Sequence, residues 1–208
     1  MICKPFILLP FIIQPNFSKR GFIDYCVLPK KINQTTPNAG LQNYINVFNG
    51  YQFHFRLTFD QAVSFFDATD KPNASISLAA LSFAHALLNF KSHFLDVQKK
   101  TLVEFQKDHY VKKPLHSKRW KLTNQSKIIH SYKVFKAVME EEYITRNDER
   151  KKRRITAWYC PDLPYFFEPL GYYDLPGLIL ELDKSGHRFV AEQIHINPKE
   201  FEAINLPE

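Results

Sequence analysis

Residues Tyr51 to Phe59 (YQFHFRLTF) alternate strictly, with Tyr51, Phe53, Phe55, Leu57 and Phe59 on one side and Gln52, His54, Arg56 and Thr58 on the other. A period of two belongs to a strand with one buried and one wet face. His54 falls on the wet face, which makes it a surface residue rather than a ligand. Gly21 to Pro29 (GFIDYCVLP) shows a looser form of the same period and predicts an earlier strand. Between Asn73 and Phe90 the period changes. Ile76, Ala80, Phe83, Leu87 and Phe90 recur at helical spacing, with Asn73 or Ser75 placed to cap, and predict one helix whose stripe packs on a core.

Shorter strands are predicted over His93–Val97, Thr101–Phe105, Arg119–Thr123, Lys127–Val138, Arg154–Cys160, Leu178–Leu182 and Arg188–Ile196. Gln98-Lys99-Lys100 and Asp183-Lys184-Ser185-Gly186 read as hairpin turns, and Lys30 to Gly40 as a loop. Many short strands with local turns predict a mainly β fold, an antiparallel meander forming a sandwich or partly open barrel with one short helix. Three parts follow: residues 1–20 as a degenerate signal segment, 21–196 as a single β-rich domain, and 197–208 as a polar tail. The signal reading rests on Lys4 followed by the apolar run Pro5 to Ile13, which is too short to span a bilayer as a helix.

Composition supports a packed core. Of 208 residues, 45% are hydrophobic and 24% charged, and 19 Phe with 10 Tyr favour pleated, half-buried surfaces. The net charge of +7 favours solubility and anionic surfaces but specifies no fold. Two basic clusters stand out, Lys112 to Lys121 around Trp120, and Arg150 to Arg154. The second reads as the exposed loop of a long hairpin, and Glu140-Glu141-Glu142 as a solvated strand end or loop. Nucleic acid is disfavoured, because Trp120 alone supplies little for bases to stack on.

The chemistry-bearing residues form no recognised catalytic pattern. Eight histidines fall into neither HxH nor HExxH, and no P-loop, dinucleotide fingerprint or GxSxG is present. No metal site or cofactor is expected. Cys26 and Cys160 would remain after loss of the first twenty residues and could pair in an oxidising compartment; the alternative is two buried thiols.

One stretch carries more information. Ile155 to Asp183 reads ITAWYCPDLPYFFEPLGYYDLPGLILELD. Ala157-Trp158-Tyr159, Pro161, Leu163-Pro164, Pro169 and Leu175-Pro176-Gly177-Leu178-Ile179-Leu180-Glu181 resemble the GLPGLI family of bacterial exported proteins. Trp120-Lys121-Leu122, Lys127-Ile128-Ile129, Tyr132-Lys133 and Lys136-Ala137 resemble that family's preceding strands. Glu168 and Asp174 stand where the family has glycines, and Val134 where it commonly has a cysteine. Pro176-Gly177 suits the centre of a type II turn.

The resemblance implies a protein of the periplasm or cell surface and transfers no catalytic residue. The expected role is a non-enzymatic envelope binding or accessory module, taking a hydrophobic ligand or an envelope protein's peptide. Its candidate surface is Trp120, Trp158, Tyr159, Tyr172 and Tyr173 with Leu175, Pro176 and Gly177. An envelope hydrolase with an unrecognised site and a structural partner of a membrane complex are the alternatives.

Overall fold

A computed structural model describes residues 20–204 except 107, 108, 146 and 168. The segment expected to be a signal therefore lies, apart from its last residue, outside the described residues, as do Glu168 and the end of the tail.

Among the described residues, one antiparallel sheet takes in every strand, in the order β6-β5-β4-β3-β2-β1-β11-β10-β9-β8-β7. The strands are β1 (Arg20–Leu28), β2 (Phe53–Asp60), β3 (Val63–Ala68), β4 (Ser92–Asp96), β5 (Thr101–Gln106), β6 (His109–Pro114), β7 (Lys121–Ile129), β8 (Tyr132–Ile144), β9 (Arg150–Cys160), β10 (Leu178–Lys184) and β11 (His187–Ile196). Each neighbour in space is a neighbour in sequence except at the centre, where β1 pairs with β11. The mainly β, antiparallel expectation holds, and the sheet is not closed into a barrel.

The clearest predicted strand forms as read. Phe53, Phe55, Leu57 and Phe59 of β2 are fully buried, and their partners Ile23, Tyr25 and Val27 on β1 share that inner face. Two α-helices cover one end of it, α1 (Ala39–Gly50) and α2 (Leu78–Leu88). The predicted helix is α2, but its cap is Ser77, whose hydroxyl accepts from the Ala80 amide at 3.2 Å. Asn73 instead holds the preceding turn, accepting from the amides of Ser75 and Ile76. The helix α1 is an addition to the sequence reading. It is capped by Asn38 and buries only Ile45 and Phe48, so its apolar stripe is too thin to read.

Several strand assignments change. Strands β3 and β6 are additions, and Arg119–Thr123 is no separate strand but leads into β7. The stretch Lys127–Val138 is not one strand: the chain reverses at His130 (φ 54°), and Ile129 pairs with Tyr132. The run Arg150–Arg154 is not a loop but part of β9. Arg154, Arg153 and Lys152 stand opposite Glu140, Glu141 and Glu142 of β8, so the acidic and basic runs are one set of cross-strand pairs. The hairpin loop is shorter and lies between these strands.

Cys26 and Cys160 are both free and buried. They lie on β1 and β9, with β11 and β10 between them. Three strand spacings amount to about 14 Å, beyond disulfide reach. The predicted pairing is therefore absent, and the two-thiol alternative describes the molecule.

Candidate functional site

The sheet must curl strongly to build the site. Strands β4 and β8 are seven places apart in the sheet, about 33 Å if it were flat. Yet His93 of β4 and Glu141 of β8 line one cleft of about 510 Å³. The two limbs of the sheet thus approach each other on the inner face. The segment Leu115–Trp120, which joins β6 to β7, passes between its two free edges.

The passage from Cys160 to Leu178 fills the inside of this curl. Tyr165 and Phe167 pack on Phe59, with ring centroids 4.9 and 5.6 Å away. Leu170 (φ 61°) and Gly171 (φ 73°) then reverse the chain and aim Tyr172 and Tyr173 toward the gap between the sheet edges. Tyr173 clasps the crossing segment. Its hydroxyl donates to the His116 carbonyl at 2.9 Å and accepts from the His116 amide at 2.8 Å. Trp120 Nε1 donates to the Tyr173 carbonyl at 2.9 Å.

Asp174, where the resembled family has glycine, takes φ 77°. Its carboxylate accepts from the Ser117 hydroxyl at 2.9 Å and the Lys118 amide at 3.0 Å. Side-chain bonding of this kind lets aspartate hold a conformation that glycine adopts without help. The Pro176-Gly177 turn differs from expectation. The Gly177 amide bonds to the Leu175 carbonyl at 2.8 Å, a tighter three-residue turn, while the Leu178 amide bonds to Leu163.

The clasp divides the surface into two depressions. On one side is a groove of about 460 Å³, with Leu95, Val97, Leu115 and Phe166 as its apolar lining. On the other is the 510 Å³ cleft, which is ionic. Glu104 receives Lys113 at 2.8 Å and Lys91 at 3.2 Å. Burial pushes its carboxyl up, but these lysines outweigh that and hold it below its usual range. Glu141 accepts from Arg153 Nε at 2.6 Å and from the Tyr172 hydroxyl at 2.9 Å. Burial, with Glu141 beside it, raises the Tyr172 phenol well above its ordinary range.

Behind Tyr172 lies Lys184, which is 7% exposed, its Nζ 5.7 Å from that ring's centroid. Burial, reinforced by Arg153, lowers its ammonium to about 8. His93 is buried between these charges, and burial lowers its imidazole to about 4. Its Nδ1 has no hydrogen-bond partner among the described residues.

The predicted aromatic surface is only partly assembled. Trp120, Tyr172 and Tyr173 come together, with Trp120 edge-on to Tyr172 at 6.4 Å. However, Tyr159, Tyr172, Tyr173 and Leu175 are buried, so they form a packed corner rather than an open rim. Gly177 is buried too, and Pro176 is exposed. Trp158 points to the opposite face from Tyr159, under Lys127 at 4.4 Å, next to the Lys127–Glu181 ion pair. His93, Glu104, Glu141, Arg153 and Lys184 were not anticipated as a group. The one local signal is Lys184 itself, a lysine on the inward-facing side of the apolar strand LILELDK.

Among the described residues no helix is long and apolar enough to cross a membrane, and no cluster of His, Cys, Asp and Glu is arranged to hold a metal ion.

A family described as "Protein of unknown function (Porph_ging)" matches residues 139–181, the span from mid-β8 into β10. No curated protein matches. Among solved structures, PNGF-II in space group C2 is similar at a TM-score of 0.52 and 18% identity over 90% of this chain. Its P21 form gives 0.50 and 17% over the same share. This chain spans 29% of the length of those chains, and the likeness is one of fold.

Proposed function

We propose that this chain is a non-enzymatic binding or accessory module of the bacterial cell envelope, whose ligand or partner seats in the two depressions beside the Tyr173–His116 clasp. The observation that carries the reading is their adjacency: an apolar groove on Leu115 and Phe166 and an ionic cleft on Lys113 and Lys118 share His116, Ser117 and Tyr173. The volumes suit a small ligand or a few residues of a peptide. The envelope location draws on the resemblance to exported GLPGLI proteins.

The fold likeness to under a third of a longer chain is in keeping with a module that works beside others. A hydrolytic reading of the cleft has less support. Both carboxylates are held in ion pairs, and the Tyr172 hydroxyl is committed to Glu141.

The test is native mass spectrometry of the protein recovered from its host, against the same sample denatured. The expected result is a discrete excess mass that vanishes on denaturation and is lost in Leu115→Asp or Phe166→Asp. A bare mass from the native sample would overturn the ligand-binding reading in favour of a structural role.

A further inference from the structure

We infer that the ionic cleft recognises an oxyanion, a carboxylate or a phosphate carried by a small ligand, with Lys118 at its wall as the cation left to receive it and Lys184, buried behind Tyr172, adding positive charge to the cleft. The inference rests on the cleft being the ligand site.

Its basis is an inventory of donors and acceptors. Glu104 has two lysine partners. Glu141 has Arg153 and the Tyr172 hydroxyl. The two carboxylates of the cleft are therefore occupied, and an incoming cation would find its acceptors taken. The donors are in surplus. Among the described residues Lys118 Nζ meets only ring faces, 5.0 Å from the Tyr173 centroid and 5.9 Å from that of Tyr172. Lys184 Nζ likewise meets the Tyr172 ring. Neither ammonium has a carboxylate within 4 Å among the described residues, although Lys184 is almost wholly buried.

Burying an ammonium without an ion-pair partner is costly, and such groups are normally paired. Spare, partly desolvated donors beside saturated acceptors match a ligand that brings acceptors and negative charge. A neutral hydrocarbon would leave the charge of both ammoniums uncompensated.

The experiment is isothermal titration calorimetry of the full chain with inorganic phosphate and with citrate, at constant ionic strength and with chloride as the reference. At least one anion should bind above the chloride background. Which of them binds separates a phosphate from a carboxylate ligand. Lys118→Gln should weaken that binding about tenfold, the loss of one charge-assisted hydrogen bond, and Lys184→Met should weaken it by less, because its ammonium acts across Tyr172 as charge alone. Lys99→Gln, on the exposed β4–β5 turn, should leave it unchanged.

Lys118 is only partly buried, so its variant keeps the test valid even if Lys184→Met perturbs packing. Binding that is equal in wild type and Lys118→Gln would overturn the inference, as would no heat above chloride with either anion. A native excess mass that proves uncharged and survives in both lysine variants would overturn it too, while leaving the binding-module reading intact. A bare native mass together with silent titrations would remove both.

Discussion

The phenol of Tyr173 and the backbone of His116 exchange two hydrogen bonds, donor to carbonyl at 2.9 Å and amide to oxygen at 2.8 Å, although 57 residues separate them. One side chain thereby replaces the strand pairing that the gap between β6 and β7 lacks. Tyr173 is buried while His116 is exposed, so the loss of the hydroxyl leaves the freed backbone groups to water. Tyr173→Phe should cost about 1–2 kcal/mol and lower Tm by a few degrees. Its more specific sign should be faster proteolysis within Leu115–Trp120. Unchanged cleavage there would mean that the clasp does not hold the segment. Tyr172→Ala or Tyr173→Ala would be a poor probe of partner binding, because truncating a buried aromatic costs about 3–5 kcal/mol by itself.

Gly177 has φ 149°, and a Cβ built on it would lie 2.0 Å from the Cys160 carbonyl oxygen. That obstacle is backbone and cannot rotate away. The glycine is needed because the turn passes directly over the end of β9. Gly177→Ala should be among the most destabilising single changes, more than about 4 kcal/mol, seen as loss of cooperative unfolding or of soluble protein. A variant with a near wild-type urea midpoint would show that the turn can move off β9.

The sequence was informative where one face was wet and one dry. The alternation of β2 is legible because Phe53 to Phe59 pack inward while Gln52 to Thr58 do not. The helix α1 was silent because Asn and Gln crowd a segment that buries only Ile45 and Phe48. Strand β6 buries nothing and ends in Pro114, so it has no hydrophobic period to read. The basic run Arg150–Arg154 looked like a loop because its partner, Glu140–Glu142, lies on the preceding strand, and charge pairing across strands leaves no pattern within either. The cleft was beyond reach for a topological reason. His93 and Glu104 sit on one limb of the sheet, Glu141 and Arg153 on the other. Only the curl brings them to Lys184, and no spacing along the chain encodes that curl.

Acid should weaken the fold in two separable steps. His93 has a folded value of about 4 against 6.5 for an ordinary histidine. Between those limits the unfolded chain binds more protons, so stability is full above about pH 6.5 and declines as pH falls toward 4, by about 3 kcal/mol from this group. Burial lowers His85 and His187 in the same direction and adds to the slope. Glu104, facing His93 at 3.9 Å, is held below its usual range, so its contribution is lost only below about pH 4.5. His93→Phe should therefore flatten the fall in urea midpoint between pH 7 and pH 4.5 without removing the loss at lower pH. An unaltered slope would place the acid sensitivity elsewhere.

Lys184 works in the opposite direction on the pH scale. Its ammonium titrates at about 8 in the fold, against 10.5 for an ordinary lysine, chiefly because it is buried and secondly because Arg153 is near. Below pH 8 both folded and unfolded chains are protonated, and the full cost of the buried charge is present. Between 8 and 10.5 the unfolded chain holds the extra proton, so stability rises with pH until the cost is relieved. That cost is about 3 kcal/mol. Lys184→Met keeps the length of the side chain and removes the charge. It should raise Tm at pH 7 by roughly 5–10 °C, with the advantage shrinking above pH 8 and gone near 10.5. A variant less stable than wild type at pH 7 would mean that Glu104 and Glu141 together stabilise the ammonium more than burial penalises it. A stabilised variant whose response to phosphate and citrate has also weakened would identify a lysine kept at the expense of the fold for the charge it lends the cleft.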